Sequence, residues 1–145
     1  MSSGGMNRIV VVGGGLAAAR SCSALRRKGY DGELILIGAE PPLPYDRPPL
    51  SKDVLLGKRD STDLPFDVEA LAVRTLTGTT ATSLDLRARV VGTTAGEGNF
   101  DGLVLATGAN PLRLPGGGEQ FVLRTIEDAR ALRARLQSGA RVVII

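Results

Sequence analysis

From position 8 to position 18 the sequence reads RIVVVGGGLAA. Arg8–Val12 is a short β-branched run that stops at three consecutive glycines, which indicates a buried strand. The next stretch, Leu16–Lys28, is rich in alanine and arginine and predicts a helix that stops at Gly29. A second buried strand is predicted at Glu33–Ile37. The order is therefore β-α-β, closed within about thirty residues, which is typical of a parallel sheet.

Three small residues at the strand-to-helix turn, Gly13, Gly15 and Ala18, match the pattern G-x-G-x-x-G/A. Gly13 permits the tight turn, and Gly15 leaves the backbone bare so that diphosphate oxygens can approach it. Ala18 is small enough to let the helix lie close on the sheet. The start of the helix offers N–H groups and a positive dipole to a diphosphate. With a strand before it and a helix after it, the pattern predicts a dinucleotide site.

A carboxylate follows the second predicted strand at Glu40, which is 22 positions after Ala18 (40 − 18). The dinucleotide pattern calls for an acid about twenty residues on, where it accepts ribose hydroxyl protons. We therefore predict that Glu40 binds the ribose. Because NAD, NADP and FAD all contain an ADP half, these residues alone leave the identity of the dinucleotide open.

The composition excludes several kinds of catalytic site. The 145 residues contain no histidine and a single cysteine, Cys22. An internal disulfide, a CxxC pair, a zinc cluster and histidine-based triads are excluded within the chain, and no metal site is predicted. Any chemistry in which the chain takes part is therefore expected to depend on a bound cofactor.

The charge and hydropathy of the chain limit its partners. A net charge of +3 and a pI of about 9.5 are compatible with steering an acidic partner protein. Aromatic residues make up only 3%, and no basic run is interleaved with them, so nucleic-acid binding is not predicted. No apolar run approaches the ~20 residues that cross a bilayer, and the start lacks signal-peptide order. We expect a cytoplasmic protein without a membrane partner.

The middle of the chain alternates between stiff loops and short strands. Pro41–Pro49 carries five prolines and predicts an extended loop, after which Ser51 is expected to cap a short helix ending at Gly57. A β-like pattern runs through Ala72–Val91, and Thr93–Gly98 is predicted as a turn. A further strand is predicted at positions 103–105.

The last third begins with a proline- and glycine-rich connector at Pro111–Gly118. A helix is predicted from Thr125, with Asp128 completing a capping box and Gly139 ending it. Positions 141–145 read RVVII and predict a strand. An apolar strand of this kind needs partners, so we expect the sequence to stop at the opening of a second unit.

The stretch Pro44–Lys52, PYDRPPLSK, carries a family resemblance. The chain resembles the FAD-dependent ferredoxin reductases that serve oxygenases, a group that includes the putidaredoxin, rubredoxin and biphenyl-dioxygenase ferredoxin reductases. Three further stretches agree with the same family: Thr79–Asp85, Leu103–Ala109 with its Ala-Thr-Gly turn, and Leu123–Ala129. The resemblance extends from Asn7 to Ile145.

The resemblance implies site residues as well as a cofactor. At the glycine turn, the backbone of Ala17 and its neighbours would contact the pyrophosphate, and Glu40 would bind the ribose. Lys52 would lie beside the isoalloxazine and would be the catalytic residue, since a cation there stabilises arriving electron density. The residues implied in FAD binding are Gly13, Gly15, Leu16, Ala17, Ala18, Glu40, Arg47, Lys52, Ala81, Ala106, Thr107, Gly108 and Arg124.

The same resemblance implies an α/β fold, with a Rossmann-like FAD-binding domain that combines a parallel sheet, helices and a small antiparallel β-meander. This domain is expected at residues 7–112 and to be incomplete at its C-terminal end. Residues 1–6 are expected to be a disordered lead-in, and residues 113–145 the connector, helix and first strand of an NAD(P)-binding domain.

The implied function is electron transfer from NAD(P)H through FAD to a ferredoxin-type iron–sulfur protein of an oxygenase system. NAD(P)H is a co-substrate whose site is expected mostly beyond residue 145. The 145 residues alone are expected to bind FAD weakly and to have no reductase turnover. The sequence does not decide between NADH and NADPH, and it does not indicate the oligomeric state.

Alternatives remain open at this stage. The chain has Ala39 where many members of the family carry an acid, and the stretch Gly57–Leu76 is short for the family. An NADH oxidase, a nitrite-reductase-type flavoprotein and a non-enzymatic FAD-binding module are compatible with the residues. A CoA-disulfide reductase should carry a cysteine near position 45, and the dithiol relay of the disulfide reductases needs a cysteine pair that this chain lacks. A plain NAD-dependent dehydrogenase has no use for the proline-rich loop.

Overall fold

The computed structural model describes residues 5–116, 118–136 and 138–145. Most of the predicted lead-in, residues 1–4, lies outside the described residues. The described strands are β1 (Arg8–Val12), β2 (Glu33–Gly38), β3 (Val73–Thr77), β4 (Ala81–Asp85), β5 (Val90–Thr93), β6 (Gly96–Asn99) and β7 (Gly102–Leu105). The described helices are α1 (Leu16–Arg27), α2 (Ile126–Arg135) and a short 3-10 helix at Pro48–Ser51. None of the helices in these described ranges has the length and apolarity required to span a bilayer.

The described chain forms two compact units. The first comprises the chain through Tyr45 together with Asp63–Gly108, and the second comprises Asp46–Thr62 together with Ala109–Ile145. The proline-rich loop is therefore divided between the two units at its Tyr45–Asp46 bond. The assignment of residues 113–145 to an NAD(P)-binding domain stays a prediction.

A parallel four-stranded sheet in the order β3-β2-β1-β7 forms the centre of the first unit. The pairing of β1 with β2 runs in register from Arg8–Glu33 to Val12–Ile37, and β7 pairs with the other side of β1. The chain thus proceeds outward from β1 to β3 and then returns to the opposite side of β1. Such a reversal of strand order opens a crevice beyond the carboxyl ends of the strands, where α/β proteins bind ligands.

Both faces of this sheet are buried, and β1 shows why. Ile9 and Val11 face a cluster that includes Ala18 and Cys22 of α1, whereas Val10 and Val12 face the opposite cluster. Side chains alternate between the two faces of a strand, so a run of β-branched residues suits a strand that is covered on both sides. Burial raises the pKa of the Cys22 thiol to about 11.

The second face is covered by an antiparallel sheet in the order β4-β5-β6, from which Val91 packs into the core. The expected combination of a parallel sheet, helices and a small meander is confirmed. The turn predicted at Thr93–Gly98 is present at Thr94–Ala95, but its predicted span was too long, because residues 96–99 form β6. This polar Gly-Glu-Gly-Asn segment becomes a strand through its pairing with β5. The residues of the segment themselves show no pattern that predicts a strand.

In the second unit, α2 begins with the predicted capping box. The Thr125 side chain accepts a hydrogen bond from the Asp128 N–H, and the Asp128 carboxylate accepts one from the Thr125 N–H. α2 packs against the 3-10 helix, and the Arg133 guanidinium binds the Asp60 carboxylate at 3.2 Å. The helix ends at Arg135, before the predicted stop at Gly139.

Two other predictions in the second unit were wrong. Ser51 does not cap a helix: it ends the 3-10 helix, and its hydroxyl donates to the Pro48 carbonyl. Pro48 and Pro49 occupy the first turn of this 3-10 helix, where proline is tolerated, so the helix begins before Ser51 and not after it. Residues 141–145 form no strand, since no described segment pairs with them, and Val143, Ile144 and Ile145 are at least 85% exposed.

Candidate functional site

The carboxyl ends of the four parallel strands lie at one edge of the sheet and bring distant parts of the sequence together. The segments that follow β1, β2, β3 and β7 at this edge are 13–15, 39–40, 78–80 and 106–108. The predicted glycine turn, the predicted ribose carboxylate and the predicted Ala-Thr-Gly turn therefore meet at the same edge.

The glycine turn is packed against the end of β7. Gly13 has a φ of +137°, and its N–H donates to the Ile37 carbonyl at 2.8 Å. A methyl group at this position would overlap the carbonyl oxygen of Ala106. The Ala106 N–H in turn donates to the Val12 carbonyl at 2.7 Å. Gly13 is thus required both for its backbone conformation and for the close approach of a neighbouring backbone.

The N-terminus of α1 has the features of a diphosphate cradle. Gly15 is the N-cap residue and provides no side-chain cap, and the first turn of α1 contains no acidic residue. A methyl group at Gly15 would meet no described atom within 4 Å, so the space beside it is open. Leu16 and Ala17 are exposed, whereas Ala18 is fully buried on the core-facing side of α1. Uncapped N–H groups with a positive helix dipole suit an anionic diphosphate.

Glu40 lies beyond β2 at the same edge and is partly buried. Its backbone carbonyl accepts a hydrogen bond from the Gly78 N–H at 3.0 Å, which ties it to the segment after β3. Its carboxylate accepts a hydrogen bond from the Tyr45 hydroxyl. Tyr45 was not among the residues predicted for the site. The available signal was a tyrosine five positions from the predicted ribose carboxylate, across a loop stiffened by prolines.

Ala81 and the Ala-Thr-Gly turn differ in their exposure. Ala81 opens β4 opposite Thr93, and its partly buried side chain packs against the core of the first unit. Thr107 and Gly108 are exposed at the end of β7, and Gly108 has a φ of +71°. Their predicted contacts with the cofactor, like that of Ala106, stay predictions.

The second unit contains the predicted site residues Arg47, Lys52 and Arg124. The Arg47 guanidinium donates to the backbone carbonyl of Arg124 at 2.5 Å. The Arg124 N–H donates to the Asp128 carboxylate at 3.0 Å, so the capping box fixes the backbone that Arg47 binds. Lys52 is exposed just after the 3-10 helix. The structure thus joins Arg47 to the backbone of Arg124. The roles of Arg47, Lys52 and Arg124 in FAD binding stay predictions.

The electrostatics of α2 depend on Asp128. Burial alone would raise the pKa of this carboxyl group, but hydrogen bonds from the N–H groups of Thr125 and Arg124 and from the Thr125 hydroxyl lower it overall. Asp128 therefore remains charged at neutral pH, where it stabilises the start of α2. No group of three or more His, Cys, Asp or Glu side chains placed to hold a metal ion occurs among the residues that the structure describes.

Comparison with known proteins gives a consistent result. The model of a family described as pyridine nucleotide-disulphide oxidoreductase matches residues 7–145. The chain is 36% identical to the ferredoxin–NAD(+) reductase component of the p-cumate 2,3-dioxygenase system of Pseudomonas putida, over 97% of this chain and 37% of that protein.

Solved structures agree with this match. The crystal structure of Fdr9 superposes with a TM-score of 0.89 at 55% identity, covering 92% of this chain and 34% of the other. The putidaredoxin reductase–putidaredoxin complex gives a TM-score of 0.81 at 33% identity, covering 92% of this chain and 35% of the other. The chain thus spans about a third of the length of these relatives.

Proposed function

Because the chain belongs to the pyridine nucleotide-disulphide oxidoreductase family, we propose that it forms the FAD-binding part of an NAD(P)H oxidoreductase. The electron acceptor is a ferredoxin-type iron–sulfur protein of an oxygenase system. The support for this acceptor is the relatives, which are named as ferredoxin reductase components and as a reductase in complex with putidaredoxin.

The observation that carries the proposal is the cradle at the start of α1. The N-cap residue there is Gly15, the space beside it is open, and no acidic side chain repels an anion from the first turn. A diphosphate at this position would accept hydrogen bonds from the N–H groups of Leu16 and Ala17. Glu40, beyond the neighbouring strand, supplies a carboxylate for the ribose hydroxyls. These residues fit the ADP half of FAD.

The remaining site residues divide the binding of FAD among them in this proposal. Ala81 contacts the adenine through its backbone, the turn Ala106–Gly108 borders the cofactor, and Arg47 and Arg124 are further FAD contacts. When bound, FAD would supply the step from hydride transfer to single-electron transfer. The part of Lys52 is to place a positive charge beside the flavin. This charge stabilises the electron density that arrives on reduction, and no proton is transferred.

Cys22 has no redox part in this proposal. It lies fully buried on the face of α1 that packs against the sheet, and desolvation raises the pKa of its thiol to about 11. The reactive form of a cysteine is the thiolate, which this environment disfavours at neutral pH.

The test uses the full-length protein. The purified protein is expected to be yellow and to release FAD on denaturation, and NADH or NADPH is expected to bleach its absorbance. Reduction of a [2Fe–2S] ferredoxin is expected to be faster than reduction of oxygen. A colourless preparation that does not bind added FAD would contradict the proposal. Oxygen as the faster acceptor would favour an NADH oxidase, and bound FAD that neither nucleotide reduces would favour a non-enzymatic module.

A variant sharpens the test for Lys52. Lys52→Met is expected to slow the reduction of the flavin by NAD(P)H by about tenfold, because a stabilising charge is lost. Lys58→Met is the matched control, since Lys58 is another exposed lysine in the same segment. Equal rates in the two variants would remove Lys52 from the site. The preference for NADH or NADPH follows from the same assay, and the cytoplasmic location stays a prediction.

A further inference from the structure

A short loop of the first unit is closed by a hydrogen bond between side chains. The Tyr45 hydroxyl donates to the carboxylate of Glu40, five positions earlier. Three of the four residues between them are prolines: Pro41, Pro42 and Pro44. Proline has a fixed φ and few backbone conformations, so the loop itself is stiff. The hydrogen bond therefore joins the Glu40 carboxylate to a rigid segment.

Both partners of this hydrogen bond are anchored independently. Tyr45 is only 4% exposed, and its backbone forms an antiparallel bridge with Asp63. The backbone carbonyl of Glu40 accepts from the Gly78 N–H at 3.0 Å, and the Thr79 N–H donates to the Gly38 carbonyl at 2.9 Å. The ring of Tyr45 and the main chain of Glu40 are thus fixed, and the hydroxyl bond fixes the remaining part, which is the glutamate side chain.

We propose that Tyr45 is a positioning residue for the nucleotide, because its hydroxyl holds the Glu40 carboxylate in the orientation that binds the adenosine ribose. This inference rests on the proposed function, in which Glu40 binds that ribose. A carboxylate has two oxygens and about four lone-pair sites, so a hydrogen bond from Tyr45 is compatible with hydrogen bonds from the ribose hydroxyls.

The physical effect is preorganisation. A glutamate side chain loses rotamer freedom when it is ordered, and that entropy opposes binding if the ordering occurs only with the ligand. The hydroxyl of Tyr45 orders Glu40 before the nucleotide arrives, and a preordered group binds more tightly. The effect is specific to the ribose, because Tyr45 holds the carboxylate of Glu40 and does not contact the diphosphate cradle in this proposal.

The test compares FAD with its 2′-deoxyadenosine analogue in the full-length protein. Tyr45→Phe removes only the hydroxyl and keeps the buried ring. The variant is expected to bind FAD about tenfold more weakly, since a charge-assisted hydrogen bond and its preorganisation are lost. Its preference for FAD over the deoxy analogue is expected to fall towards one. A merely structural role of Tyr45 would weaken the binding of both ligands equally.

The chain offers a matched control in its other tyrosine. The Tyr30 hydroxyl donates to the Glu33 carbonyl at 3.0 Å, at the opposite end of the sheet. Tyr30→Phe is expected to leave both dissociation constants unchanged. In a Glu40→Gln background, Tyr45→Phe is expected to have a much smaller effect than in the unaltered protein, because Tyr45 acts through the carboxylate.

The outcomes separate this inference from the proposed function. If the unaltered protein does not bind FAD, both fall. If it binds FAD and Tyr45→Phe keeps the unaltered preference for FAD over the deoxy analogue, only the inference falls. Should Tyr45→Phe fail to fold, a crystal structure of the unaltered FAD complex decides. Glu40 is expected there to contact both the Tyr45 hydroxyl and a ribose hydroxyl, and a Glu40 that lacks either contact overturns the inference.

Discussion

At the amino end of the parallel sheet charged side chains bind the backbone, whereas at the carboxyl end glycines leave the backbone bare. The Asp101 carboxylate accepts hydrogen bonds from the N–H groups of Asn7 and Arg8, at the start of β1. The Arg26 guanidinium donates to the carbonyls of four residues that precede β2 and β3: Tyr30, Gly32, Leu71 and Ala72. At the opposite end, Gly13 contacts the backbone of Ala106 and Gly15 borders open space.

The difference separates stability from binding along one sheet. Side chains that satisfy backbone groups at the amino end leave little for a ligand to bind, and they fix the positions of the strands. Bare N–H groups at the carboxyl end have a ligand as their natural partner. Changes at the amino end should therefore alter the free energy of unfolding, and changes at the carboxyl end should alter the affinity for FAD. Gly13 is the exception that should alter both.

The largest effect is expected from Gly13→Ala in the full-length protein. An alanine would be strained at a φ of +137°, and its methyl group would overlap the Ala106 carbonyl oxygen. We expect the free energy of unfolding to fall by about 3 kcal/mol or more, with loss of FAD binding. Chemical denaturation and FAD titration measure the two effects.

Gly29→Ala is the control for Gly13→Ala. Gly29 also has a positive φ, +85°, but a methyl group there would meet no described atom within 4 Å. Gly29→Ala should lower the free energy of unfolding by about 1 kcal/mol and leave the affinity for FAD unchanged. If the two variants were equally stable, the contact between Gly13 and Ala106 would have no energetic importance.

Arg26→Ala is expected to have the next largest effect, and only on stability. It removes the donor of four backbone carbonyls and a cation–π contact with Tyr30 at 5.4 Å. Several of these bonds are partly buried, so we expect a loss of about 2–4 kcal/mol in the free energy of unfolding. The affinity of the folded protein for FAD should not change. Arg27→Ala, at an exposed position of the same helix, is the control.

If Arg26→Ala weakened FAD binding as much as it lowered stability, the two ends of the sheet would not be independent. Measuring the affinity well below the unfolding transition keeps the two quantities separate, because unfolded protein would otherwise lower the apparent affinity.

The sequence predicted the parts of the fold that depend on local pattern. The strands predicted at residues 8–12 and 33–37, the helix predicted from Leu16 and the capping box of Thr125 and Asp128 are all encoded within short windows, and the structure confirms them, with β2 one residue longer than predicted. The family resemblance drawn from PYDRPPLSK and the three further stretches is confirmed by the family match together with the relatives named as ferredoxin and putidaredoxin reductases.

The parts that the sequence did not predict depend on contacts between distant residues. β6 exists because β5 pairs with it, and its polar residues carry no strand pattern of their own. The contact of Gly13 with Ala106 joins residues 93 positions apart (106 − 13), and the fingerprint rule explains Gly13 by the turn alone. The bond from Tyr45 to Glu40 is local in sequence, but it depends on a side-chain orientation that composition does not specify.

Gly15→Ala is expected to have the smallest effect on the fold and a clear effect on binding. Gly15 has an ordinary φ of −108°, and a methyl group there meets no described atom within 4 Å, so the free energy of unfolding should change by less than about 1 kcal/mol. The same methyl group would enter the space proposed for the diphosphate, and we expect FAD to bind about tenfold more weakly or worse. Gly98→Ala is the control, because Gly98 is an open glycine in β6. Since the fold leaves room for a methyl group at Gly15, the advantage of glycine at this position beyond its modest N-cap preference must come from a ligand. Unchanged affinity in Gly15→Ala would therefore place the diphosphate elsewhere, even if FAD binds.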